Sequence, residues 1–84
     1  MTNHLIGYRS AAPVNRVGII VTSKCGNAVV RNLLRRRTRA VARELIGDGL
    51  LTGDVVFRFR CEGNVPDFET LQNEIRQCAT RWAA

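Results

Sequence analysis

Eighty-four residues make one small domain, with no room for a second. Such a chain buries roughly 60% of the surface its unfolded form exposes, so its stability is modest. Thirteen Lys and Arg against seven Asp and Glu leave a formal charge of +6, while a hydrophobic fraction of 45% excludes a disordered basic tail. Lys24 is the only Lys; the other cations are all Arg, the side chain best suited to bidentate phosphate contacts and to stacking on bases. The first expectation is therefore a compact domain whose field attracts a polyanion, nucleic acid foremost.

In chain order, His4 to Arg9 alternates as a short strand, and Ser10-Ala11-Ala12-Pro13 turns it. Val17 to Ser23 is a second strand. Val17, Ile19 and Val21 share one face with Gly18, Ile20 and Thr22 on the other, and apolar residues on both faces predict a central strand covered on both sides. Asn27 is an N-cap candidate for a long helix, Ala28 to Ile46, which Gly47-Asp48-Gly49 stops. Asp54 to Cys61 is a third strand, with Val55, Phe57, Phe59 and Cys61 on one side and Val56, Arg58 and Arg60 on the other. Gly63 to Pro66 turns the chain, and Asp67 caps a last helix whose apolar stripe is Phe68, Leu71, Ile75, Cys78 and Trp82. The order is strand, strand, helix, strand, helix.

Met1 to Ser10 shows no charged stretch followed by an apolar one, so no secretory signal is expected, and the aliphatic run Ile19-Ile20-Val21 is far short of the ~20 residues of a membrane span. Cys25, Cys61 and Cys78 form no CxxC pair, and His4 is the only histidine, so buried free thiols in a reducing cytoplasm are expected rather than a metal cage.

The long helix carries most of the information. At about 100° per residue from Ala28, Arg31, Arg35, Arg39, Arg43 and Arg36 fall between about 300° and about 80°, with Asn32 among them. Val29, Val30, Leu33, Leu34, Ala40, Val41 and Leu45 take the opposite arc, from about 100° to about 260°, as the predicted core face. No acid occurs between Lys24 and Arg43. Like charges at four-residue spacing cost a few tenths of a kcal/mol per pair, which suggests a compensating polyanion; an acidic membrane surface and a merely solvated face are the alternatives. Arg37, at about 180°, lies off the stripe, to snorkel to the rim or to pair with Glu44. Arg58 and Arg60 extend the basic surface onto the sheet or form a solvated sheet face. Lys24-Cys25-Gly26-Asn27 is a strand-to-helix junction whose open N–H groups and helix dipole favour a phosphate.

No nucleophile–base constellation, Walker-type loop or paired carboxylate is visible, so any catalysis needs another component. Asp48, Asp54, Glu62 and Asp67 sit at turns or element ends, where acids cap or solvate.

The run Val21-Thr22-Ser23-Lys24-Cys25-Gly26-Asn27-Ala28-Val29-Val30-Arg31-Asn32, followed by Arg35, Arg36 and Arg39, resembles the signature of the bacterial ribonuclease P protein subunit over roughly Arg16 to Trp82. That resemblance implies an α+β fold: a small two-layer α/β sandwich, ribosomal protein S5 domain 2-like, with a left-handed βαβ crossover. It implies a partner, the catalytic ribonuclease P RNA, which removes the 5′ leader of precursor tRNA and itself holds the Mg²⁺ ions. The protein is then the accessory subunit of an endoribonuclease, in the bacterial cytoplasm, with no catalytic side chain of its own. The motif places RNA contacts at Lys24, Arg31, Asn32, Arg35, Arg36 and Arg39, to which the basic surface adds Arg43, Arg58 and Arg60. Leu33, Ser23 and Arg37 depart from the family pattern, and the chain starts short of the family's N-terminal helix and first strand. An exposed sheet edge could then support a dimer. The alternative function is a stand-alone RNA- or ribosome-binding module without a catalytic role.

Overall fold

Alternation of apolar and polar residues sets the centre of the structure, a computed structural model that describes residues 4–13, 15–60 and 65–83. The strand β3, Asp54–Phe59, buries Val55, Phe57 and Phe59 and turns Val56 and Arg58 the other way. Cys61 and the turn residues 62–64 lie outside the described residues. Strand β1, Leu5–Ser10, pairs antiparallel with β3, and strand β2, Arg16–Ile20, pairs parallel with it, giving the order β1-β3-β2.

This order corrects the expectation for the second strand. β2 is an edge, not a central strand, and Ile20 is 45% exposed. Its aliphatic content reflects partial cover of Val17 and Ile19 by the core on one face, while the other face of the sheet stays open. Across that open face run the rows Ile6–Arg58–Ile20 and Tyr8–Val56–Gly18.

Two helices cover the opposite face. Parallel neighbours need a crossover, and α1, Ala28–Gly47, supplies it between β2 and β3. Asn27 caps α1 as expected: its Oδ1 accepts from Val30 N–H at 3.0 Å. The helix ends in a Schellman arrangement in which Leu50 N–H reaches Leu45 O at 2.9 Å and Gly49 N–H reaches Ile46 O at 3.0 Å. Gly49 takes φ 74°, which a side chain would strain.

The buried side of α1 is Leu34, Thr38, Val41, Ala42 and Leu45, centred at about 260° on the helical projection. The predicted core arc is therefore rotated: Val29 is 75% exposed, Ala40 is exposed and Leu33 is only half-buried. Hydrophobicity on the projection spans a wide arc, and the sheet and second helix select only part of it.

The second helix, α2, Phe68–Ala83, starts at Asp67, whose Oδ1 accepts from Thr70 N–H at 2.8 Å. Of its stripe, Leu71, Ile75 and Cys78 are buried and Trp82 packs tilted against Phe57 with ring centroids 6.0 Å apart. Phe68 departs from the core expectation, at 43% exposed. Trp82 comes so close to β1 that a Cβ on Gly7 would lie 2.8 Å from its ring. Buried Glu74 ties the same helix to the start of β1, accepting from His4 N–H at 2.7 Å and meeting His4 Nδ1 at 2.6 Å.

Cys78 is a buried free thiol, its pKa raised by burial. Cys25 departs from the free-thiol reading: it is disulfide-bonded. Asp54, in register with Arg16, accepts its guanidinium at 3.1 and 2.8 Å. That hydrogen bond holds the Asp54 carboxyl below its usual value, and the Thr70 amide does the same for Asp67.

The packing ranks the positions of α1. Leu34→Ala should cost about 2–5 kcal/mol in urea unfolding, whereas Val29→Ala should change stability by under about 0.5 kcal/mol; the reverse order would restore the arc read from the sequence. A carboxyl depressed in the folded state stabilises above its unfolded pKa of about 3.9, and that stabilisation disappears as pH falls through the folded value. Asp54→Asn should accordingly flatten the acid limb of the melting temperature below about pH 4.

Candidate nucleic-acid interface

The short 3₁₀ turn Ser23–Cys25 joins β2 to α1 and leaves Lys24 exposed beside the N-terminus of α1. Within it, Cys25 N–H donates to Thr22 O at 3.0 Å and Gly26 N–H to Ser23 O at 3.2 Å. With Val30 N–H held by Asn27, these amides have acceptors already. The junction attracts an anion through Lys24 and the positive end of the α1 dipole, with the first-turn amides of Ala28 and Val29 left open by the helix start.

The turn lies at the carboxyl ends of the parallel pair β2 and β3, so it meets the end of β3 in space. Ile6, Thr22, Ser23, Lys24, Arg58, Phe59 and Arg60 line a depression of about 430 Å³. Three cations and two hydroxyls converge there from two separate stretches of sequence, 22–24 and 58–60, with Ile6 of β1 beside them. Arg58 projects from the exposed side of β3, and Arg60, half-buried, continues the chain after it, with its N–H donating to His4 O at 2.7 Å. The sequence contained all three cations, but only the parallel register brings Lys24 to Arg58 and Arg60. Thr22 and Ser23 gave no signal of their own.

From the same end the arginines of α1 lead away. Asn32, Arg36, Arg39 and Arg43 are exposed; Arg31 and Arg35 are half-buried. Arg35 Nη1 donates to Asn32 Oδ1 at 3.2 Å, which orders the two side chains along one turn. Arg31 Nε is buried without a hydrogen-bond partner among the described residues. Rotation of the core face explains the split. Arg31 and Arg35, at about 300° and about 340° on the projection, lie at the rim of the buried side. Arg36 and Arg43, at about 80° and about 60°, face away from the sheet.

None of these five arginines forms an ion pair with an acid among the described residues. Glu44, the acid nearest in sequence, is taken by Arg76 of α2, at 3.7 Å. That pairing removes the Glu44 alternative for Arg37, which sits over the Phe68 ring with its guanidinium carbon 5.8 Å from the centroid. What the surface offers chemically is a row of uncompensated guanidinium groups ending in a small cationic depression. Among the described residues no group of three His, Cys, Asp or Glu could hold a metal ion, and no helix is long and apolar enough to cross a membrane. Asn27→Ala should lower stability by about 1 kcal/mol in thermal or urea unfolding, with the first turn of α1, from Ala28 on, losing amide-exchange protection first.

Comparison with known proteins converges on one family. Residues 2–83 match the family described as Ribonuclease P. The chain is 38% identical over 66 residues to the ribonuclease P protein component of Clavibacter michiganensis, covering 79% of this chain and 58% of that protein. It is 39% identical over 72 residues to the ribonuclease P protein component of Erythrobacter litoralis, covering 84% of this chain and 60% of that one. The chain thus spans less than two thirds of the length of these relatives. The structure of the Staphylococcus aureus RNase P protein superposes with a TM-score of 0.79 over 99% of this chain and 77% of that one, at 23% identity, a likeness of fold.

Proposed function

The chain belongs to the ribonuclease P protein family, and from that premise we propose that it acts as the protein subunit of a bacterial ribonuclease P, an accessory to an endoribonuclease that removes the 5′ leader of precursor tRNA. One observation carries this reading: five arginines of a single helix, with Asn32 between them, meet no acid among the described residues. Repulsion within such a row costs helix stability by a few tenths of a kcal/mol per pair, and a phosphate backbone reverses its sign.

In this proposal Lys24, Arg31, Asn32, Arg35, Arg36, Arg39 and Arg43 hold the catalytic RNA. The depression at Arg58 and Arg60 takes a phosphate of a strand passing over the open sheet face, the leader of the substrate. Guanidinium groups there lower the repulsion between substrate and catalytic RNA, so less Mg²⁺ is needed to screen it. The Mg²⁺ and the reaction centre belong to the RNA, and the bacterial cytoplasm is the place of action. A stand-alone RNA-binding module would use the same surface without the catalytic partner.

Neutralising about five to seven phosphates gives a log–log salt slope of about −4 to −6. Arg35→Gln with Arg39→Gln should weaken binding to ribonuclease P RNA and reduce the slope by about 2, with the melting temperature little changed because Arg39 is exposed and Arg35 only half-buried. Unchanged affinity in filter binding would show the stripe to be solvated only. Reconstitution with ribonuclease P RNA at low Mg²⁺ separates the two functions: stimulated cleavage of precursor tRNA supports the subunit, and binding without stimulation supports the stand-alone module.

A further inference from the structure

The rotation of α1 leaves an apolar strip unburied. Val29, Leu33 and Arg37 follow one another at four-residue spacing along α1, at about 100°, about 140° and about 180° on the projection, and the strip ends at α2 where Arg37 meets Phe68. Val29 is 75% exposed and Leu33 half-buried. Side chains on a helix lean toward its N-terminus, so Arg37 reaches back over the turn of Leu33. Its guanidinium is steadied by Phe68, which is 43% exposed at the first residue of α2. The result is a partly apolar surface with a guanidinium over an aromatic ring, next to Arg36 on the outward side of the same helix.

The geometry points to a stacking site for one unpaired base of the RNA that the arginine row binds, laid against the Arg37–Phe68 pair with its sugar over Leu33 and Val29. This inference rests on the RNA-binding reading above. Three features favour a base over a phosphate or an apolar peptide. A guanidinium on an aromatic ring extends a π-stack, and such surfaces accept any base by its face. Asp67 and Glu69 flank Phe68 and repel a phosphate while leaving an uncharged base face unaffected. The exposed Arg36, at about 80° on the projection and so beside Val29 at about 100°, is placed to hold a phosphate next to the stacked nucleotide.

The test compares the full chain with Phe68→Leu, Phe68→Trp, Arg37→Lys and Val29→Ser, measuring affinity for a ribonuclease P RNA transcript by filter binding across a salt series. Phe68→Leu and Arg37→Lys should each weaken binding roughly 5- to 20-fold, the loss of one stacked base, with the salt slope unchanged because no phosphate contact is lost. Phe68→Trp keeps a ring and should stay within about twofold of the parent. Val29→Ser, at an exposed position that the fold does not need, should weaken binding measurably even where Phe68→Leu lowers the melting temperature. If these variants all bind as the parent does while Arg35→Gln with Arg39→Gln still weakens binding, the stacking site is overturned, the RNA interface stands, and the strip is left to a protein partner. Equal losses in Phe68→Leu and Phe68→Trp also overturn it, since a base would tolerate the larger ring. If the arginine pair has no effect either, the RNA-binding reading itself fails.

Discussion

Parallel pairing of β2 with β3 is the constraint on which the remaining structure depends. Adjacent parallel strands cannot be joined by a tight turn, so the chain must travel back along the sheet, and α1 is that return path. The return puts the N-terminus of α1 beside the carboxyl ends of both strands. The positive end of the helix dipole, Lys24 and the two arginines at the end of β3 consequently meet in one place. A cationic depression and a row of arginines leading from it are consequences of one crossover, not of separate local designs.

The same crossover accommodates the cost of the charge. Six arginines on one helix weaken it when isolated, but α1 draws its stability from Leu34, Val41 and Leu45, which are almost wholly buried against the sheet and α2. Each such side chain contributes about 1.5–3 kcal/mol, well above the repulsion between neighbouring arginines. Packing therefore carries a surface that is unfavourable by itself. At the other end of the molecule polar contacts close the fold: Arg9 reaches the carbonyl and hydroxyl of Thr52 at 2.8 and 3.0 Å, and Gly53 N–H donates to Asn15 Oδ1 at 2.7 Å. The cationic depression and these closing contacts thus occupy opposite ends of the sheet.

Much of this was legible in the residues. The alternation of β3, the Asn27 and Asp67 caps and the glycine stop after α1 are local patterns, decided within a few residues of themselves, and they stand as read. The arginine row is equally local, because a single helix determines which side chains share its surface. The place of β2 was not legible. Aliphatic residues on both sides of a strand suit a buried central strand, yet here they suit an edge strand whose second face stays open, and the difference lies in which neighbours arrive. The orientation of α1 was misread for a related reason: Val29, Leu33 and Ala40 are as apolar as the residues that are buried, so composition allowed a wide arc of possible core faces.

What the sequence by itself determined is the set of elements, their caps and the charge carried by one helix, since hydrogen bonding and side-chain period operate over short distances along the chain. Its signature also determined the family. Only the tertiary structure decided that Lys24, Arg58 and Arg60 share a depression, that Glu44 goes to Arg76 and Arg37 to Phe68, and which third of α1 meets the core. Each of these depends on the register of β2 against β3 and on the seating of two helices on one face of the sheet. Those are long-range relations, settled by packing among residues that no local pattern connects.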